Sequence, residues 1–68
     1  MKVKINGETE EFEQDSLTIS ELLKAKEVKM PDMVSVEHNG DMLERENFDT
    51  TAVKDGDEVE FLYFMGGG

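Results

Sequence analysis

There is no cysteine among the 68 residues, so neither a disulfide framework nor a thiolate metal site can staple this chain or do its chemistry. A single histidine excludes a histidine-rich metal centre. No apolar run approaches the roughly 20 residues that a membrane-spanning helix needs, and Met1-Lys2-Val3-Lys4 lacks the apolar core of a signal peptide. The expected address is the cytoplasm, with no membrane partner. Also missing are a nucleophile with a base beside it and a phosphate-cradling loop that opens a helix. The chain is therefore expected not to be an enzyme and to bind no metal or cofactor of its own.

Basic residues are scarce: seven against seventeen acidic ones, for a net charge of −10. Such a field repels a phosphate backbone and favours encounter with a basic protein surface, so nucleic acid is not an expected partner. The acids run from Glu8 to Glu60 instead of forming one block, and they serve a solvated surface as readily as a steering one. A chain of this length makes one domain, burying roughly 60% of the surface its unfolded form exposes. That leaves little room for an enclosed active site, and a monomer is expected when the protein is free.

What is present organises itself readily. Val3 and Ile5 alternate with Lys2 and Lys4, and Asn6-Gly7 is the pair that two-residue hairpin turns favour, so a first hairpin is predicted with Glu8 to Glu13 as its return strand. Phe12 is that strand's one apolar anchor. Thr18-Ile19-Ser20-Glu21 fits a capping box, with Leu17 and Leu22 at the staple positions, and predicts a helix from about Ile19 to Lys26. Its core stripe is Ile19, Leu22 and Leu23. Lys29-Met30-Pro31-Asp32 is expected to break the helix, because proline lacks an N–H and disfavours helical geometry in the residue before it. Val34 and Val36 then alternate with Ser35 and Glu37, and Asn39-Gly40 repeats the hairpin signal before Met42 and Leu43. Arg45 to Val53 reads as an irregular connection anchored inward by Phe48 and Val53, and Asp55-Gly56-Asp57 as a turn into the last strand.

Strand, strand, helix, strand, short strand, strand in so short a chain predicts an α+β domain with one helix packed across a mixed sheet of four to five strands. The arrangement suits a ubiquitin-like β-grasp, in which the last strand pairs with the first and lies centrally. In Val59-Glu60-Phe61-Leu62-Tyr63-Phe64-Met65, period-2 spacing puts Val59, Phe61 and Tyr63 on one face, the expected core side. Glu58, Glu60, Leu62 and Phe64 share the other, which turns from carboxylates to large apolar groups. Leu62, Phe64 and Met65 are thus candidates for docking a partner, since burying each such side chain contributes roughly 1.5 to 3 kcal/mol. The competing reading tucks Leu62 or Phe64 against the loop that carries Phe48.

Directly after this strand come Gly66, Gly67 and Gly68. A terminal carboxylate on three residues without side chains is thin and unhindered, fit to be threaded into another protein's active site. Read alone, the same tail is also what a frayed end looks like. Residues 1–65 are taken as the folded domain and 66–68 as the tail.

Nearly the whole chain resembles the small sulfur carrier proteins of thiamine biosynthesis, the ThiS-like branch of the β-grasp group that also holds the molybdopterin-synthase small subunit MoaD. The resemblance rests on Met1-Lys2-Val3-Lys4-Ile5-Asn6-Gly7, Ile19-Ser20-Glu21-Leu22-Leu23 and Val34-Ser35-Val36-Glu37-His38-Asn39-Gly40. It continues through Arg45-Glu46-Asn47-Phe48 and Val53-Lys54-Asp55-Gly56-Asp57-Glu58-Val59-Glu60 to the glycine tail. Glu44 departs from it, standing where many members have proline before the arginine. The resemblance implies a co-substrate and not a catalyst. A ThiF-like adenylating enzyme, related to ubiquitin-activating enzymes, would use ATP and Mg²⁺ to convert the Gly68 carboxylate to an acyl-adenylate. Sulfur from a donor such as a cysteine desulfurase would then give a thiocarboxylate, to be handed to thiazole synthase. In that scheme Gly67 and Gly66 supply reach, and Arg45 either holds its loop through carbonyls or carboxylates or contacts a partner. His38 reads as a surface residue and not as a general base.

Other readings stay open at this level. A related carrier could feed molybdopterin, cysteine or tRNA thiolation; a ubiquitin-like modifier would join Gly68 to a lysine amine; an inert β-grasp module would not use Gly68 at all.

Overall fold

Two Asn-Gly pairs shape the sheet. In the computed structural model, which describes residues 1–28 and 34–63, the last of these by its backbone alone, Asn6 and Asn39 sit at φ 51 and 53 and the glycines after them at φ 87. Positive φ at both central positions gives the turn whose twist matches paired strands, which is why asparagine and glycine are needed there. The first turn joins β1 (Lys2–Ile5) to β2 (Glu8–Glu11), with Ile5 opposite Glu8. Thus the return strand stops at Glu11, short of the expected Glu13, and Phe12 packs against the core from beyond its end.

β3 (Ser16–Thr18) leads straight into α1 (Ile19–Ala25), and the capping box forms as the sequence indicates. The Thr18 hydroxyl accepts from the Glu21 backbone at 3.1 Å, and the Glu21 carboxylate accepts from the Thr18 N–H at 2.9 Å. The helix ends before the Lys29-to-Asp32 segment, which lies outside the described residues. Lys26 caps it, and Glu27 takes φ 57, so that the N–H groups of Glu27 and Val28 bond back to the carbonyls of Lys24 and Leu23, each at 3.0 Å. This is the Schellman closure, and Val28 completes it by packing against the core.

β4 (Val34–His38), β5 (Asp41–Leu43), β6 (Ala52–Lys54) and β7 (Glu58–Tyr63) follow. The main sheet is five-stranded and mixed in the order β2-β1-β7-β4-β5, so the last strand is central, parallel to the first and antiparallel to β4. β3 and β6 form a second, two-stranded sheet, with Leu17 opposite Val53. The expected irregular connection from Arg45 to Val53 is therefore more ordered than its pattern indicates: a single 3₁₀ turn over Arg45–Asn47, then β6. β3 and β6 each bury one side chain, too few to show a period of two.

The helix covers one face of the main sheet. Between them lie Val3, Ile5, Ile19, Leu22, Leu23, Val34, Val36, Val59 and Phe61, closed at one side by Leu17, Phe48 and Val53, all buried. Phe48 and Val53 thus face inward as expected. No buried polar side chain accompanies them among the described residues.

Candidate functional site: the outer sheet face and the C-terminal strand

Because Val59 and Phe61 fill the core side of β7, Glu58, Glu60 and Leu62 stand on the side that no helix covers. Leu62 is 39% exposed. Register places it opposite Ser35 of β4, whereas Phe48 lies in the core beneath the opposite face, where its carbonyl accepts from the Ser20 N–H at 3.1 Å. Leu62 is therefore solvent-exposed and not tucked under the Phe48 loop. Phe64, Met65, Gly66, Gly67 and Gly68, the other expected site residues, lie outside the described residues.

Sequence reading missed Met42 as a member of this face. At 59% exposed it is, with Leu62, the other large exposed hydrophobe among the described residues, and it sits opposite Glu37, which in turn sits opposite Glu60. The signal was available, because counting back through the Asn39-Gly40 turn pairs residue 42 with residue 37. The face therefore reads as apolar groups at Met42 and Leu62 beside carboxylates at Glu37, Glu60 and Glu58. Lys4 reaches Glu58 at 3.8 Å, a contact between two largely exposed side chains that adds little to stability.

At the far end of β7 a polar network holds the turns. The Asn39 side-chain oxygen accepts from the Glu58 N–H at 2.9 Å, and Asp57 Oδ2 accepts from His38 Nε2 at 2.8 Å and from the Lys54 N–H at 2.9 Å. His38, expected as a surface residue, is half-buried in this staple, away from Leu62 at the other end of the strand. Burial raises the pKa of Asp57, but hydrogen bonds from His38, the Lys54 backbone and Asn39, with the attraction of His38, outweigh it and leave the carboxyl below its ordinary 3.8. Its stabilising contribution is thus whole above pH 3.8 and is lost as pH falls through the lowered value. Urea unfolding followed below pH 3.8 should show an acid loss in the wild type that Asp57→Asn lacks; parallel acid limbs would count against this assignment.

Arg45 Nη2 donates to the Val34 carbonyl at 3.1 Å, the loop-holding role its type was expected to play. On the helix side a recess of about 360 Å³ is lined by Ser20, Leu23, Lys24, Val28 and Phe48 among others, with the Ser20 hydroxyl bonded to Asp49. It lies across the sheet from Leu62. Among the described residues no group of His, Asp and Glu has metal-site geometry, and no helix is long and apolar enough to cross a membrane.

The fold and sequence have close counterparts. A crystal structure of the thiamine biosynthesis protein ThiS from Geobacter metallireducens superimposes with a TM-score of 0.90 at 54% identity, over 100% of both chains. A solution structure of a thiamine biosynthesis protein from the same organism gives 0.85, covering 88% of that chain. The sulfur carrier protein ThiS of Bacillus subtilis is 29% identical over 66 residues, which are 97% of this chain and 98% of that one. A thiazole synthase of Paramagnetospirillum magneticum is 38% identical over all 68 residues, which span only 20% of its length. Residues 3–68 match the model of the ThiS family, and with the β-grasp sheet and its central last strand in place, the chain belongs to that family.

Proposed function

We propose that the protein is a sulfur carrier of thiamine biosynthesis and that its working group is the Gly68 carboxyl. The observation that carries this reading is the extent of the family match, which runs through the three glycines to Gly68 itself. The exposed outer face of β7 supports it, because a co-substrate must be gripped by its enzymes near the reacting end.

The chemistry follows from the group. A terminal carboxylate, with a pKa of about 3.5, is an anion at neutral pH and resists nucleophiles. Activation proceeds by attack of a Gly68 carboxylate oxygen on the α-phosphorus of ATP, held with Mg²⁺ on a ThiF-like adenylating enzyme, with pyrophosphate leaving. Sulfide then adds to the acyl carbon and expels AMP; where a cysteine desulfurase persulfide attacks instead, the product is an acyl disulfide, whose S–S bond a thiol reductant cleaves to release the thiocarboxylate. The absent Cβ of Gly68 leaves that carbon open to approach, and Gly67 and Gly66 keep the profile narrow. The product thiocarboxylate is a sulfur nucleophile for thiazole synthase. That a protein named thiazole synthase contains a segment matching this whole chain supports such a receiver.

The test is intact mass after incubation of the full chain with adenylating enzyme, ATP, Mg²⁺ and sulfide. Exchange of one oxygen for sulfur, localised to Gly68, is the expected result. An isopeptide link to lysine would instead favour a protein modifier, and an unchanged mass under all conditions overturns the carrier. Docking through the outer face has its own check: Leu62→Ala should weaken binding to the adenylating enzyme about tenfold, equivalent to about 1.4 kcal/mol. Because Leu62 is already exposed, the thermal midpoint of the variant should move by no more than about 4 °C.

A further inference from the structure

The end of β7 nearest the tail is paired on one side only. β4 accompanies it from Val59 to Tyr63, whereas β1 accompanies it only at Glu58 and Val59, because the chain leaves the sheet after Ile5 at the Asn6-Gly7 turn. Hydrogen bonds fix which peptide groups face which neighbour. The N–H groups of Lys4 and Asn6 donate to the carbonyls of Asp57 and Val59, each at 3.0 Å, so residues 57 and 59 present their backbone to β1. Asn39 donates to the Glu58 carbonyl at 2.8 Å, so residue 58 faces β4. Alternation along the strand continues this pattern, and Phe61 and Tyr63 turn their N–H and C=O groups to the side that β1 has left.

One of those groups is occupied. The Asn6 side-chain oxygen accepts from the Phe61 N–H at 2.8 Å and closes the ladder there. The Phe61 carbonyl and the Tyr63 N–H come next on the same side, and among the described residues neither has a strand opposite it. Proteins normally guard such an edge with charge, proline, a bulge or a short strand. The outer strands of this sheet are guarded in that way: β2 reads Glu8-Thr9-Glu10-Glu11, and β5 is three residues long. Among the described residues the open side of β7 has no such guard, and the residue between the Phe61 carbonyl and the Tyr63 N–H is the exposed Leu62.

We propose that this edge is a strand-addition site: an extended segment of the adenylating enzyme pairs with the Phe61 carbonyl and the Tyr63 N–H, continuing the sheet where β1 ends. The proposal deepens the carrier reading and rests on it. The occupant is defined by chemistry, as an extended backbone without proline at the pairing positions and with an apolar side chain on the outer face beside Leu62. Main-chain bonds supply the grip and the side-chain contact the selectivity, as in other strand additions. The functional gain is direction. Gly68 is five residues past Tyr63, a reach of at most about 17 Å, so pinning the strand at residue 63 aims the carboxyl along the strand axis.

The test uses the full chain and steady-state adenylation by its cognate adenylating enzyme. Tyr63→Pro deletes the outward N–H but leaves the bonds that residues 60 and 62 make to β4, and Tyr63→Ala changes the same side chain while keeping the N–H. Tyr63→Pro should raise the KM for the carrier about tenfold over Tyr63→Ala, the equivalent of about one lost hydrogen bond. In the wild type, hydrogen exchange at the Tyr63 amide should be fast in the free chain and slow at least about tenfold in the complex, which decides the matter even if the proline variant folds poorly. Equal KM values for the two variants when both fold, or a Tyr63 amide that exchanges as fast in the complex, overturn strand addition while leaving the carrier intact. A wild-type chain that is never adenylated overturns the carrier reading, and this one with it.

Discussion

Converting the Gly68 carboxyl to a primary amide should abolish adenylation, with a loss of at least about a thousandfold in ATP–pyrophosphate exchange. In the proposed activation a carboxylate oxygen carries the electron pair that attacks phosphorus, and a neutral amide offers no comparable nucleophile. The change is otherwise small. It removes one negative charge from a chain whose net charge is −10, so electrostatic encounter with a basic partner should hardly alter. It leaves Leu62 and Met42 on the outer face, so binding of the amide form should remain close to that of the wild type. The contrast with Leu62→Ala is the informative part. Loss of a contact lowers affinity about tenfold and spares the chemistry, whereas loss of the reacting atom spares affinity and removes the chemistry. An amide form that still turned over would mean that the reactive group is elsewhere.

Most of the fold was legible because its strongest signals are local. Asn6-Gly7 and Asn39-Gly40 announce turns that few other pairs can make, and Thr18 with Glu21 announces a helix start whose two bonds both form. The long alternation of Glu58 to Tyr63 gave the core side of the central strand correctly at Val59 and Phe61. Features that depend on partners distant in sequence did not show. β3 and β6 bury one residue each, and only their pairing across the fold makes strands of them. The helix stops at Lys26 as expected, but what closes it is Glu27, in a left-handed conformation that glutamate rarely signals. His38 and Asp57 are nineteen residues apart, and nothing in either stretch names the other. Of the candidate site, the resemblance supplied Gly68 and the strand pattern supplied Leu62. Met42 needed the hairpin register, and the open edge of β7 needed the point at which β1 leaves the sheet.

Leu22→Ala should be the most damaging single truncation of the helix, costing about 3 kcal/mol. Leu22 is completely buried, lies in the middle of the core stripe of α1 and is the staple partner of Leu17, so the removed methyl groups leave a cavity ringed by core side chains. In a domain of this size the whole stability amounts to roughly 3 to 10 kcal/mol, so one residue accounts for a large share. With about 4 to 8 °C of midpoint per kcal/mol, the fall in Tm should be on the order of 12 to 24 °C. Urea unfolding should show a lower midpoint at an unchanged slope, since the surface exposed on unfolding is nearly the same. The functional consequence separates this variant from those on the outer face. Leu22 lies across the sheet from Leu62 and touches no proposed partner, so at low temperature, where the variant remains folded, adenylation should proceed with a KM near the wild-type value. On warming, activity should vanish together with the folded signal, because the tail is then attached to a chain in which neither β7 nor the proposed docking face exists. A KM raised already at low temperature would place Leu22 in communication with the docking face, contrary to the two-sided division of the sheet.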